Sequence, residues 1–223
     1  MGTTEGTEMK LSHTFAMALI IVTGTSTFRA ADAGIAYVGQ ITVTNTEEVS
    51  LFILPDGSGQ PFTQAMAFGG RITDASITLL LTGFDGSPIA YVPRDDMWLD
   101  AESTTDSHCP DYAHFSPDGH TDKSGQTSFV APLTGGGWSE GPAWVYLYGI
   151  RSAPPTAGEH PPVQLRFNSA DIDGDGNINL TDVSAFSRDF HGSYHYRSDF
   201  HWDGLLNLAD VAKMASGLGH DCQ

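Results

Sequence analysis

Apolar positions along the chain follow three patterns. Between residues 35 and 167 they form short runs rich in β-branched and aromatic side chains, at 35–43, 51–54, 72–82, 89–100, 126–131 and 143–150. Val163, Leu165 and Phe167 then alternate with Gln164, Arg166 and Asn168, a two-residue period that sorts side chains onto the two faces of a strand. Clusters of Gly, Pro, Asp and Ser at 55–59, 84–88, 117–119 and 135–137 punctuate the runs as turns. About seven short strands joined by such turns predict a β-sandwich over 34–167. Beyond residue 180 the period lengthens. Leu180, Val183, Phe186 and Phe190 fall at helical spacing, as do Leu208, Val211, Met214, Ala215 and Leu218, and Gly192 and Gly219 stand where each helix would stop. Neither helix could hide its apolar stripe alone, so the two are expected to pack on each other. The third pattern is the apolar run at 14–22, too short to span a bilayer. With Ala31-Asp32-Ala33 as a small-x-small cleavage site before Gly34, residues 1–33 read as an export signal. Glu5 and Glu8 follow Met1, whereas Met9 opens a cleaner charged start with Lys10, so translation is expected to begin at Met9. No other segment could cross a membrane, so no span is expected in the mature chain.

Residues 171–182 read Asp-Ile-Asp-Gly-Asp-Gly-Asn-Ile-Asn-Leu-Thr-Asp. In an EF-hand-type loop oxygen ligands come from positions 1, 3, 5, 7, 9 and 12, with Gly at 6 for the sharp turn. Those positions hold Asp171, Asp173, Asp175, Asn177 (by its carbonyl), Asn179 and Asp182, and Gly176 takes the turn. Four carboxylates so close repel one another unless a cation sits among them. The pattern recurs 28 residues on: Asp199, His201, Asp203, Leu205 (by its carbonyl), Asn207 and Asp210, with Gly204 at the turn. His201 replaces an oxygen ligand there, and imidazole is a poor calcium ligand. Two calcium sites are therefore expected, the first the stronger.

This loop-helix pair resembles the dockerin module of secreted bacterial proteins, over about residues 168–220. The resemblance implies calcium at both ligand sets and a cohesin-like protein partner. Ahead of it, the phrase Thr-Asp-x-x-Gly-x-Thr-x-Phe at 121–129 resembles the immunoglobulin-like domains of bacterial surface adhesins. The fold expected is thus mainly β: an immunoglobulin-like β-sandwich followed by a small α-helical dockerin-like module with two EF-hand-type calcium loops. The divisions are 1–33 signal, 34–167 sandwich and 168–223 repeat pair. The Pro-rich stretch 152–162 reads as a stiff surface connection. Almost no slack separates the last strand from Asp171, so the two parts are expected to touch.

Ten Lys and Arg face 27 Asp and Glu among 223 residues, a formal charge of -17. That balance argues against nucleic acid and anionic membrane as partners, since both select basic patches. Two cysteines, Cys109 and Cys222, suggest a disulfide in an exported chain; free thiols or an intermolecular bond are the alternatives. His108, Cys109, Asp111, His114, Asp118 and His120 include zinc-ligand types, but their spacing matches no closed zinc pattern. His191, His195 and His201 are expected to face solvent, or at most to stand behind the ligands. No nucleophile elbow or phosphate-cradling loop is present, and Asp95, Asp96 and Asp100 are acid candidates only by type. The expected function is a secreted, non-catalytic calcium-binding module for attachment or display at a cell surface or in an extracellular assembly. Its partner would be cohesin-like, or further copies of the chain. The alternative is a carbohydrate-binding or polysaccharide-degrading accessory protein, with Trp98, Trp138, Trp144, Tyr146 and Tyr148 as a sugar-stacking face.

Overall fold

The computed structural model describes residues 36–101, 106–107, 109, 115–152 and 160–222. The export signal expected over 1–33, His108, Asp111 and His114, and most of the Pro-rich connection lie outside the described residues. Twelve strands and two α-helices follow one another among the described residues. The strands are β1 (Tyr37–Val43), β2 (Val49–Ile53), β3 (Ala65–Ala67), β4 (Arg71–Thr73), β5 (Ile77–Thr82), β6 (Met97–Ala101), β7 (Asp106–Ser107), β8 (Gln126–Phe129), β9 (Gly136–Ser139), β10 (Ala143–Leu147), β11 (Ile150–Arg151) and β12 (Leu165–Ser169). The helices α1 (Leu180–His191) and α2 (Leu208–Gly217) come last. No helix among the described residues is long and apolar enough to cross a membrane.

The strands form three sheets, ordered β1-β5-β8, β11-β10-β6 and β4-β3-β2-β12-β9-β7. All pairings are antiparallel except β2 with β12, which run parallel with Leu165 opposite Val49 and Ser169 opposite Ile53. The architecture is mainly β with two C-terminal helices. It has a third sheet and a parallel pair beyond the two-sheet arrangement expected.

Burial explains the strand patterns. β5, β6 and β10 alternate buried and half-buried side chains, as strands with one covered face do. Every residue of β2 is buried, because both faces of the six-stranded sheet are covered. On one face Leu51, Ile53, Leu165 and Phe167 join Ile77, Leu79, Leu81, Met97 and Leu99 in the main core. On the other, Phe52 and Leu54 meet Ala170, Ile172, Ile178, Ala185, Phe186, Phe200 and Met214 in a second core. The rings of Phe52 and Phe186 both lie against Phe200, at 5.2 and 5.7 Å between centroids. Burying each such side chain contributes about 1.5–3 kcal/mol.

Phe186 of α1 and Met214 of α2 therefore enter one core, and the sheet face supplies their cover. Several stripe positions point outward instead: Leu180 and Leu208 are each 79 % exposed, and Val211 and Leu218 are exposed as well. α2 comes so close to the sheet that a Cβ on Gly217 would stand 2.9 Å from the Ala170 methyl. Nearby, Trp202 is buried with Met66 and Tyr196, and the Tyr196 and Ser50 hydroxyls share a 2.7 Å hydrogen bond. Gly34–Gln223 forms one compact unit.

Several runs divide or shorten. The run at 72–82 is cut by a turn at Asp74, whose carboxylate accepts bonds from the Ser76 amide and hydroxyl. The run at 143–150 breaks at Tyr148 and Gly149, both in the left-handed region. Tyr148 thus leaves the face that Trp144 and Tyr146 share. Trp138, on β9, belongs to a different sheet, so the five aromatic residues form no common face. The Gly-rich stretch 135–137, expected as a turn, instead contributes to β9.

Candidate metal centre

The first loop is built by its own carboxylates accepting backbone amides. Asp171 is wholly buried; its Oδ1 accepts from Asp175 N at 3.1 Å and its Oδ2 from Gly176 N at 2.9 Å. Asp175 Oδ1 accepts from Asn177 N at 2.8 Å. Asp182, also wholly buried, closes the loop: Oδ1 accepts from Ile172 N and Asp173 N, and Oδ2 from Asn179 N. Asn179 Oδ1 accepts from Thr181 N, so Asn179 and Asp182 form a capping box that starts α1. Gly176, at φ 86°, makes the sharp turn that a Cβ would oppose.

This wrapping brings carboxylate oxygens of Asp171, Asp173 and Asp175 within 4.8 Å of one another. Burial pushes the Asp171 carboxyl up to about 7, with the charges of Asp182, Asp175 and Asp173 adding to the rise and the Gly176 amide opposing it. Asp173 is raised too, first by burial and then by Asp182 and Asp175. Unneutralised charge is therefore concentrated where oxygen atoms converge. An all-oxygen donor set of this kind fits a hard divalent cation such as calcium. Asp171, Asp173 and Asp175 would hold it beside Asp182, and the ion would supply positive charge.

The second loop repeats the framework. Asp199 Oδ1 and Oδ2 accept from Asp203 N and Gly204 N at 3.2 and 2.9 Å. Asp210 accepts from His201 N and Asn207 N, and Asn207 caps α2 as Asn179 caps α1. The cap residues match closely: φ and ψ are -138° and -166° at Asn179, and -141° and -168° at Asn207. Gly174, at φ 72°, has Trp202 as its counterpart at φ 48°. A tryptophan there costs about 1–2 kcal/mol of backbone strain. Burial of its ring and hydrogen bonds from Gly69 N and Gly70 N to its carbonyl offset that cost.

The ligand atoms differ. The His201 ring packs against Gly70, where a Cβ would meet Nε2 at 2.5 Å. Leu205 is exposed, and its amide donates to Asp203 Oδ1. Among the described residues, only Asp171, Asp173 and Asp175 gather three such ligand atoms. His191 and His195 are exposed, as expected. Asp118 accepts the amides of Val130 and Ala131, and His120 Nδ1 accepts Arg94 N, so both are engaged in turns.

Further contacts hold the first loop, most of them from segments distant in the sequence. Gly137 N donates to Asp171 O at 2.7 Å. Gly136 lies so close to the Asp171 carboxylate that a Cβ there would come within 2.6 Å of Cγ. Ser169 Oγ accepts Asp171 N. The C-terminal tail lies along the loop, with Ile178 N donating to His220 O and Cys222 N to Gly176 O. Cys222 is joined to Cys109, 113 residues away, which resolves the cysteine alternatives as an intramolecular disulfide. With its sulfur so bonded, Cys109 is no zinc ligand. The bond fits an oxidising compartment. No family model, curated protein or solved structure matches this chain.

Proposed function

We propose that this chain is an exported, non-catalytic module in which a calcium ion in the first loop fastens a dockerin-like repeat pair to an immunoglobulin-like β body. It would serve attachment or display at a cell surface or in an extracellular assembly. The observation that carries the reading is the convergence of Asp171, Asp173 and Asp175 within 4.8 Å, with Asp171 wholly buried. Calcium would be structural, because ion binding to the folded loop alone adds to folding free energy. The second loop, with His201 in place of a carboxylate, offers the weaker ligand set.

A protein partner is favoured by Leu180 and Leu208. They occupy the same first position of the two helices and are both 79 % exposed, giving a matched apolar pair. A cohesin-like domain or another copy of the chain would suit such a pair. The test of the calcium reading is hydrogen exchange with calcium and with a chelator. Residues 171–182 should lose protection on chelation while β5 and β12 keep theirs. Equal protection in both conditions would remove calcium from the account.

One observation favours a glycan-binding alternative. On the β6–β10 face the Trp98 and Tyr146 rings stack 5.6 Å apart and 2° from parallel, and the Arg151 guanidinium lies 4.0 Å from the Trp144 ring centre. A polysaccharide pull-down that a Tyr146→Ala variant loses would support this alternative.

A further inference from the structure

Gly176 stands between a buried carboxylate and the disulfide. Its amide donates to Asp171 Oδ2 at 2.9 Å, and its carbonyl accepts from Cys222 N at 3.0 Å. Cys222 Sγ packs on the same residue, where a Cβ would stand 2.9 Å from the sulfur. The tail runs antiparallel to the loop, with Asp221 opposite Asn177. Ile178, buried between Asn177 and Asn179, donates to His220 O at 2.9 Å and accepts from Gly219 N at 3.0 Å. The tail is thus the outer wall of the loop where it turns at Gly176 and leads on to Asn179.

What holds the tail in place comes from far along the chain. Cys222 is bonded to Cys109, which is buried with its sulfur 3.0 Å from the Pro55 carbonyl oxygen. A second tether reaches the same turn, with His220 Nδ1 2.8 Å from Asp56 Oδ2. Hydrogen bonds at an exposed chain end open readily, because little buried surface is lost when they do. Asp221 is exposed and Cys222 half-buried, so the bonds on Gly176 and Ile178 lean on the cross-link to stay closed. When they open, the turn that aims the ligands on either side of Gly176 loses its outer support. A loop held in its binding conformation binds more tightly, because less ordering is left to the ion.

We propose that the Cys109–Cys222 bond sets the calcium affinity of the first loop while the β body stays folded, so that the exported chain gains full affinity only when this bond closes. The inference rests on the calcium reading of the first loop, which it deepens by naming what regulates the site. Closure is thiol–disulfide exchange: the two thiols are oxidised to the bond, and a second disulfide takes up their two electrons and two protons and leaves as a dithiol. Dithiothreitol runs the exchange backwards and becomes the disulfide itself. Linkage makes the effect reciprocal, so calcium must oppose reduction by the factor by which the bond tightens calcium. His220 still reaches Asp56 after reduction, so the expected factor is about fivefold, the lower end of ordinary coupling between sites.

The test titrates the full chain with calcium by calorimetry, oxidised and after dithiothreitol, with hydrogen exchange at β5 reporting whether the body is folded. Reduction should weaken calcium binding about fivefold, and Cys109→Ser/Cys222→Ser should match the reduced chain. In a dithiothreitol redox buffer, saturating calcium should make the midpoint potential of the bond about 20 mV more negative, the same fivefold at about 30 mV per tenfold. Asp173→Asn/Asp175→Asn should abolish that shift. Equal calcium affinity in the oxidised and reduced chains would overturn the proposal and leave the calcium reading standing. A shift that survives in the double Asp variant would overturn it too. So would loss of β5 protection on reduction, which would make the bond a staple of the whole body. An oxidised wild type that binds no calcium would defeat the calcium reading and the proposal with it.

Discussion

Replacing Gly136 by alanine should disable the first loop while leaving each of its ligand residues unmutated. Gly136 is not in the left-handed region, so alanine suits its backbone and any effect must be steric. The new methyl would stand 2.6 Å from Asp171 Cγ and 3.1 Å from its Cβ. Either the carboxylate swings away or β9 retreats from β12. If the carboxylate moves, it loses the amides of Asp175 and Gly176. Hydrogen bonds to a charged group contribute about 1.5–3 kcal/mol each. If the strand moves, overpacking costs about 1–3 kcal/mol. The easier route sets the loss, so about 3 kcal/mol is expected, which for a chain of this size is a fall of about 6–12 °C in melting temperature. Calcium affinity should fall by at least about tenfold, since misplacing one ligand by 1.4 kcal/mol suffices for that. Gly141→Ala is the matched control: its nearest neighbour would be Ser139 Oγ at 3.9 Å, and its effect should stay within about 0.5 kcal/mol. Differential scanning calorimetry and calcium calorimetry on both variants read the two quantities. A Gly136→Ala protein that melts with wild type and binds calcium equally well would refute the steric argument.

Three further outcomes are expected. In chelator, thermal stability should decline as pH rises from about 5 to 8. The folded Asp171 carboxyl, at about 7, lies above its ordinary 3.8, so the folded state binds the extra proton and loses that advantage as pH climbs through 7. The full contribution is about 4 kcal/mol, of which about 2.5 kcal/mol is lost within that window. Asp74, Asp85 and Asp122, held low by hydrogen bonds from Ser76, Ser87 and Ser124, act in the opposite sense at more acid pH, outside that window. Saturating calcium should flatten the decline, and a slope unchanged by calcium would count against Asp171 as its source. Cys109→Ser/Cys222→Ser should cost roughly 4–5 kcal/mol, the chain-entropy value for a loop of this length, seen as a lower denaturation midpoint without reductant. Asp189→Ala should cost about 2–4 kcal/mol, because this buried carboxylate accepts two Arg197 bonds and the Ser198 hydroxyl; an unshifted melting curve would show the pair to be idle.

The parts legible in the sequence are those set by neighbours along the chain. Asp171, Asp173 and Asp175 converge because Gly176 turns the backbone between them, and α1 and α2 start at Asn179 and Asn207 because those side chains cap the next turn. β5 and β10 are legible as runs rich in β-branched and aromatic residues, and the structure shows that each has one covered face. Features that depend on distant segments were not legible. β9 is hidden in a glycine-rich stretch, where glycine serves the approach of Asp171 from 35 positions away and not a turn. β3 is three residues long and too short to show a period. Lys213 looks like an ordinary polar helix residue until Phe52 is placed beneath it. The outward position of Leu180 and Leu208 was misread as core because helical period does not say which side of the stripe meets the sheet.

The shared middle layer has a practical consequence for anyone cutting or grafting this protein. Because Ser50, Phe52, Leu54 and Met66 lie under the C-terminal repeats, the two parts are not interchangeable cassettes. A truncation after residue 167 removes two of the five residues of β12 and lays bare a sheet face that is neither polar nor shielded, an invitation to aggregation. The repeats expressed alone would in turn lack the floor on which Phe200 and Trp202 rest. Modularity has here been exchanged for a single indivisible body.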